Sequence, residues 1–404
     1  MNYVKKANSH KDNMIKFMRD LIKIPGVSCQ EKEVVQRIKK EMDKVGFDEV
    51  NIDKMGNVIG KIGSGDTVLA MDAHIDTVDT GSLKEWDIDP FEGKLEEGVI
   101  YGRGACDQLS GMVSMVYGGK LIKELDLEDD YTLYVFGTVQ EEDCDGLCWQ
   151  YIINEDNIRP DCVVITEPTN LNLYRGHRGR MEIGIRTFGK SCHGSAPHRG
   201  INPVYMMSKI VNEIEIVNQN LKEDDFLGKG TVTVSYIDCS TPSLCAVPSE
   251  CYIHLDRRLT RGETKESALK EIEEAVERAG IKNARVKIEV PRYDTPSYTG
   301  LKYPTQKYYP VWTLPEKHQL CRAAVNTYED IFEKEPVVDK WTFSTNGVST
   351  MGMFNIPTIG FGPAHEIYAH TVNEQVPVEH LVKAAAWYAK FPKDYVRLTR
   401  KEKQ

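Results

Sequence analysis

Apolar positions along the first part of the chain follow two rhythms, recurrence every three or four residues and short unbroken runs, and each predicts a different element. Residues 12–24 carry the helical rhythm and stop before Pro25. Ser28 with Glu31 three places on has the form of a capping box, opening a second helix with Val34, Val35, Ile38 and Met42 on one face and Gly46 as its stop. Runs at 56–62 and 67–72 read as strands, 111–125 as a helix, and 131–139 and 161–166 as apolar strands. The strands end in chemistry: His74 and Asp76 after the first apolar run, Glu141 and Glu142 after the second, Glu167 after the third. Strands alternating with helices predict an α/β fold, a mostly parallel central sheet flanked by helices, with its site at the carboxyl edge.

From Arg180 the pattern changes. Strand 181–188, a polar loop 189–200, helix 202–219, strands 230–237 and 250–256, helix 264–279 and strand 284–290 describe a small two-layer α+β unit inserted into the first. A Pro- and Tyr-rich segment, 291–315, carries the chain back to a helix at 314–332, strands at 337–341 and 357–361, and a helix at 377–391. The expected division is 1–179, 180–294 and 295–404, the outer segments forming one domain; 393–404 reads as a charged tail.

A length of 404 residues agrees with two domains, and 28% charged with 41% hydrophobic residues describes a soluble globular chain. A net charge of −10 argues against nucleic acid and anionic membrane as partners. No apolar run approaches the roughly 18 residues of a membrane span, and no hydrophobic signal core follows Met1, so the expected compartment is the cytoplasm. The ten cysteines lack the spacing of a disulfide framework or zinc finger and are expected to be reduced.

The acidic strand ends gain meaning together. A neutral His74 beside carboxylates is a divalent-metal environment, and Asp76, two positions on, can orient its ring through the second nitrogen. The turn from Gly102 to Asp107 offers another carboxylate just before a helix. Glu141 and Glu142 are adjacent, so their carboxylates point in different directions, and one can bind metal while the other stays free as a base. Glu167 and His370 bring the set to two His, one Asp and two Glu with one Glu spare, enough for two ions about 3.5–4 Å apart if one carboxylate bridges.

On these residues the chain resembles the co-catalytic metallopeptidases and deacylases that include carboxypeptidase G, acetylornithine deacetylase, succinyl-diaminopimelate desuccinylase and the aminoacylases, the M20-like family. The resemblance is carried by His74-Ile75-Asp76, the Gly102–Asp107 turn, Glu141-Glu142, Glu167-Pro168, the stretch from His193 to Pro203, Asp256-Arg257-Arg258 and His370 with Asn373-Glu374. The turn at Cys106-Asp107-Gln108 and the stretch 140–146 look most like a subgroup of selenium-metabolism-linked hydrolases. It implies two divalent ions, zinc first with cobalt or manganese as alternatives: His74 and Glu167 on one, Glu142 and His370 on the other, Asp107 bridging. It also implies Asp76 orienting His74, Glu141 as general base for a metal-bridging water, and a cis peptide after Asp107. The inserted unit resembles the family's lid, which pairs with its copy in a homodimer. His193 would stabilise the oxyanion in the partner's site, and Arg258 would grip a substrate carboxylate. Glu167, where aminopeptidase relatives carry aspartate, is similar to the deacylase and carboxypeptidase branches.

The implied activity is hydrolysis of an amide bond, N-acyl, N-carbamoyl or C-terminal peptide, in a small amino-acid derivative. A dipeptidase is the alternative within the enzymes, and an inactive binding protein on the same fold the alternative outside them. Where relatives carry a Gly-Gly-Thr-Asp-like turn, this chain has Ser344-Thr345-Asn346-Gly347, with Asn346 the substrate-facing candidate. His365, five positions earlier, rivals His370, which is preferred because Asn373-Glu374 follows it.

Overall fold

The computed structural model describes residues 2–282 and 285–403. In chain order its main elements are α1 (Lys32–Val45), β1 (Glu49–Ile52), β2 (Val58–Ile62), β3 (Thr67–His74), α2 (Leu109–Glu124), β4 (Tyr131–Thr138), β5 (Cys162–Ile165) and β6 (Leu173–Tyr174). There follow β7 (Gly179–Phe188), α3 (Pro203–Asn220), β8 (Thr231–Ser240), β9 (Glu250–Leu259), α4 (Lys265–Arg278) and β10 (Val286–Glu289). The chain closes with α5 (Gln319–Phe332), β11 (Val338–Asp339), β12 (Thr358–Gly360) and α6 (Val378–Lys403). Among the described residues no helix is long and apolar enough to cross a membrane.

Two compact units result. The first comprises Met1–Gly176, Asp294–Tyr303 and Thr313–Gln404; the second comprises His177–Tyr293 and Pro304–Trp312. The second thus takes in part of the Pro- and Tyr-rich return segment, where Tyr309 pairs with Arg180. The strand expected from 284 is observed from Val286; Ala284 itself lies outside the described residues.

In the first unit an α/β sheet of eight strands runs β1-β2-β4-β3-β5-β12-β6-β11. It is mixed. β4, β3, β5 and β12 are mutually parallel at its centre, whereas β1–β2, β2–β4 and β12–β6 are antiparallel. The parallel strands bury both faces, so β5 (Cys-Val-Val-Ile) shows no alternation and every residue of it is buried. α2 is buried nearly all round and packs on α6; a Cβ on Gly118 would stand 2.8 Å from Tyr388 Cβ, so glycine permits that approach. Trp387 stacks on Phe391 at 4.5 Å and lies 4.4 Å from Phe361, and fully burying an aromatic of this kind contributes about 1.5–3 kcal/mol.

In the second unit the sheet β8-β9-β7-β10 is antiparallel and carries α3 and α4 as its other layer. Alternation along β9 sends Cys251, Ile253 and Leu255 inward against Met207, Ile210 and Ile272. Both helices have side-chain caps: Asn202 accepts from the Val204 amide, and Thr264 forms a capping box with Ser267.

Two local expectations fail for tertiary reasons. Ser28 and Glu31 do not cap α1: Ser28 Oγ donates to Asp76 Oδ2 at 2.6 Å, and Glu31 accepts the Cys29 and Gln140 amides. The expected tail is helical, since α6 continues through Pro392 with Tyr395 and Val396 buried and Arg400 paired to Asp129 and Asp130.

A candidate metal centre

The parallel strands bring their carboxyl ends to one place. β3 ends on His74, opposite Thr138 of β4, and the next residues turn Asp76 beneath the loop that follows β4. His74 Nδ1 donates to the main-chain oxygen of Asp76 at 2.9 Å, with the Asp76 carboxylate farther off at 3.6 Å. The ring is therefore held by Asp76 through its carbonyl. The carboxylate accepts instead from Ser28 Oγ and from the amides of Glu141 and Glu142, which aims those two neighbouring side chains.

Nε2 points to the centre, 2.8 Å from Asp107 Oδ1 and 3.5 Å from Glu167 Oε1. The other Asp107 oxygen lies 3.3 Å from His370 Nε2, which is also 2.9 Å from Glu142 Oε2. Asp107 thus shows one oxygen to each histidine. Its peptide bond to Gln108 is cis. His365 is elsewhere engaged, accepting the Ile367 amide on Nδ1.

Asp107, Glu141, Glu142 and Glu167 share this small volume. Burial pushes the Glu141, Glu142 and Glu167 carboxyls up. Burial also opposes ionisation of Asp107, but His370 and His74 outweigh it and hold that carboxyl well below its usual range. Burial would depress His74, yet Glu167 and Asp107 raise it well above its ordinary value; His370 is raised to about 10 by Asp107 and Glu142. Such a cluster calls for positive charge. Glu141 Oε1 and Glu167 Oε2 are buried without hydrogen-bond partners, and such orphaned acceptors cost about 1–3 kcal/mol each unless something compensates them.

The donor set fits divalent ions. Imidazole nitrogens and carboxylate oxygens are ligands that such ions take. Among the described residues two groups have ligand atoms within 4.8 Å of one another: His74, Glu141 and Glu167, and His74, Asp107 and Glu142. Glu141 therefore lies within reach of the first group as well as carrying a free oxygen.

Three other candidates have partners of their own. Asn346 is buried in the first unit; its amide donates to Asp72 Oδ2 and Thr138 Oγ1, and its oxygen accepts from the Gly146 amide, so it braces the sheet. In the second unit Arg258 closes a two-point fork on Asp256 at 2.8 and 2.9 Å, and exposed His193 bonds Ser195 Oγ at 2.7 Å. Cys106 and Cys144 are buried. His10 and His254 pair with Glu124 and Glu182, and His318 caps α5. Sequence reasoning gave no role to Glu374, buried behind Asp107, although its place four residues after His370 was a signal.

Residues 70–394 match the profile of peptidase family M20/M25/M40. The chain is 56% identical over 389 residues to the uncharacterized protein YgeY of Escherichia coli strain K12, covering 96% of each. It is 31% identical over 220 residues to a probable succinyl-diaminopimelate desuccinylase of Staphylococcus epidermidis, covering 52% of this chain and 53% of that one. In fold it is similar to the Bacillus subtilis YXEP protein, a dinuclear metal binding peptidase, with a TM-score of 0.71 at 15% identity over 97% of this chain and 99% of the other.

Proposed function

We propose that this chain, which belongs to peptidase family M20/M25/M40 and is a hydrolytic enzyme, uses two divalent ions, zinc in the first instance, to cleave an amide bond of a small carboxylate-bearing amino-acid derivative. The observation that carries the reading is Asp107, whose two oxygens face His74 and His370 at 2.8 and 3.3 Å, as a bridging ligand requires. His74 and Glu167 would hold one ion, Glu142 and His370 the other. The ions supply polarisation of the amide carbonyl and a lowered pKa for the attacking water. Glu141, its amide tied to Asp76 and one oxygen unpartnered, takes the water's proton and delivers it to the leaving nitrogen.

His193, from the partner's copy in a homodimer, donates to the developing oxyanion, and Arg258 exchanges the Asp256 carboxylate for that of the substrate, a geometry its fork already adopts. Similarity to a desuccinylase supports an N-acyl substrate, with N-carbamoyl and C-terminal peptide bonds as neighbouring chemistries. The expected compartment is the cytoplasm.

The test loads purified protein with zinc or manganese and measures acetyl-, succinyl- and carbamoyl-amino acids beside dipeptides. Cleavage of an acylated amino acid with two ions per chain supports the reading. Preference for free dipeptides favours the dipeptidase alternative, and two bound ions without turnover favours a binding protein.

A further inference from the structure

One fully buried carboxylate near the centre takes no part in the chemistry above. Glu374 Oε1 accepts the amides of Cys106 and Asp107, each at 2.7 Å; Oε2 accepts the Gly104 amide at 2.9 Å and Arg103 Nη1 at 2.8 Å. Its main-chain oxygen accepts the Gly102 amide at 2.9 Å. All five donors belong to the turn Gly102–Asp107, which winds inward with Gly104 at φ +80° and so points several amides at one spot. Left without an acceptor there, each buried amide would cost about 1–3 kcal/mol. Beyond Glu374 the chain pairs with the strand that leads into the turn, Gln375 opposite Tyr101.

This arrangement spans two parts of the centre that are remote in sequence. His370 lies four residues before Glu374, and Asp107 is the last residue of the turn that Glu374 gathers. Every side-chain partner of Glu374 lies within four residues of Asp107, and both carboxylate oxygens are consumed by them. No oxygen is left to bind an ion. We propose that Glu374 is a positioning residue, whose carboxylate sets the bridging Asp107 against His370 and thereby fixes the geometry of the ion those two share. Supporting contacts behind metal ligands of this kind typically change metal affinity about 10–100-fold when removed.

Glu374→Gln replaces one acceptor oxygen by an amide donor. Whichever way it turns, one pair of donors then faces N–H, so the turn slackens while size and packing are kept. The experiment titrates zinc into metal-stripped, full-length wild type, Glu374→Gln and Glu41→Gln, with a competing chelator to resolve two affinities, and follows urea unfolding of each. Glu41 is the control: an equally buried carboxylate bound by Arg37, Lys44 and Tyr117, away from the centre. The expected result is loss of stability in both variants but loss of affinity, about 10–100-fold for one of the two ions, only in Glu374→Gln. Should Glu374→Gln not fold, Glu374→Asp keeps the charge one methylene short of the turn and is expected to weaken the same ion.

Zinc affinities unchanged from wild type in whichever variant folds would overturn the proposal. It rests on the dinuclear reading, and the two fail differently. Wild type that binds no zinc ends both, whereas wild type with two ions and a variant equal to it ends this one alone.

Discussion

Glu141→Gln separates a base from a ligand. The side chain is buried, burial pushes its carboxyl well up, and Oε1 has no partner, so in metal-stripped protein at pH 7 folding must either bury a charge or take up a proton. A raised folded pKa means that this group's stability is fully present below its unfolded pKa and is lost as pH rises. The neutral amide escapes that loss. Metal-stripped Glu141→Gln should therefore exceed wild type in stability by about 1–3 kcal/mol at pH 7, and the difference should vanish near pH 4, below the unfolded carboxyl's pKa of about 4.3. Loaded with zinc, the variant should retain two ions while turnover falls about 10²–10⁴-fold, or about 2.7–5.4 kcal/mol of barrier. Urea unfolding at the two pH values, elemental analysis and steady-state rates cover the prediction. Because Glu141 also lies in a ligand-spaced group with His74 and Glu167, the opposite outcome is concrete: a variant holding one ion, with Glu142→Gln still holding two, would show that the two glutamates have exchanged roles.

Asp107→Asn is expected to lower zinc below two per chain and abolish turnover, since the carboxylate that faces both histidines loses its charge; elemental analysis showing two ions in an active variant refutes it. Mixing inactive His193→Ala with inactive Glu141→Gln should restore activity if His193 serves the partner's site, because one site of the heterodimer then has both groups; a mixture as inactive as its components points to action within one chain. Asp156, raised by burial and by Asp53 to about 7, stabilises the fold below its unfolded pKa of about 3.9 and loses that contribution as pH rises through 7. Asp156→Asn should be more stable than wild type by about 1–2 kcal/mol at pH 8 after allowing for solvent screening, and equal to it at pH 3 by urea unfolding; a variant less stable at pH 8 contradicts the sign.

The strand-end carboxylates and imidazole were legible because residue types that suit a metal are few and because apolar runs mark buried parallel strands. β3, β4 and β5 could be placed from their apolar runs, and His74, Glu142 and Glu167 came with them. Less legible was anything decided by a partner far along the chain. Ser28 and Glu31 satisfy a local capping pattern in every respect visible in one dimension, yet Asp76 and Gln140 claim their side chains. Asp76 is two residues from His74, as a ring-orienting carboxylate would be, but its carbonyl reaches Nδ1 and frees the carboxylate for two amides. Asn346 reads as a polar loop residue until Asp72 and Thr138 appear beside it. Pro392 and the charges after it suggest an end to the helix, whereas Tyr395, Val396 and Arg400 hold the last turns down.

The order of the sheet carries a consequence for how the protein is made. β5 lies between β3 and β12 in the finished sheet, but β12 follows it in the chain by roughly 190 residues, most of them belonging to the second unit. At a synthesis rate of about 5–20 residues per second, the ribosome needs roughly 10–40 s to deliver β12 after β5. Throughout that interval a wholly apolar strand in the middle of the future sheet offers a free edge of N–H and C=O groups, the template on which unrelated strands pair and nascent chains aggregate. The insertion thus acts as a timer, and each residue added to it prolongs the nascent chain's exposure before its own strand can close the gap.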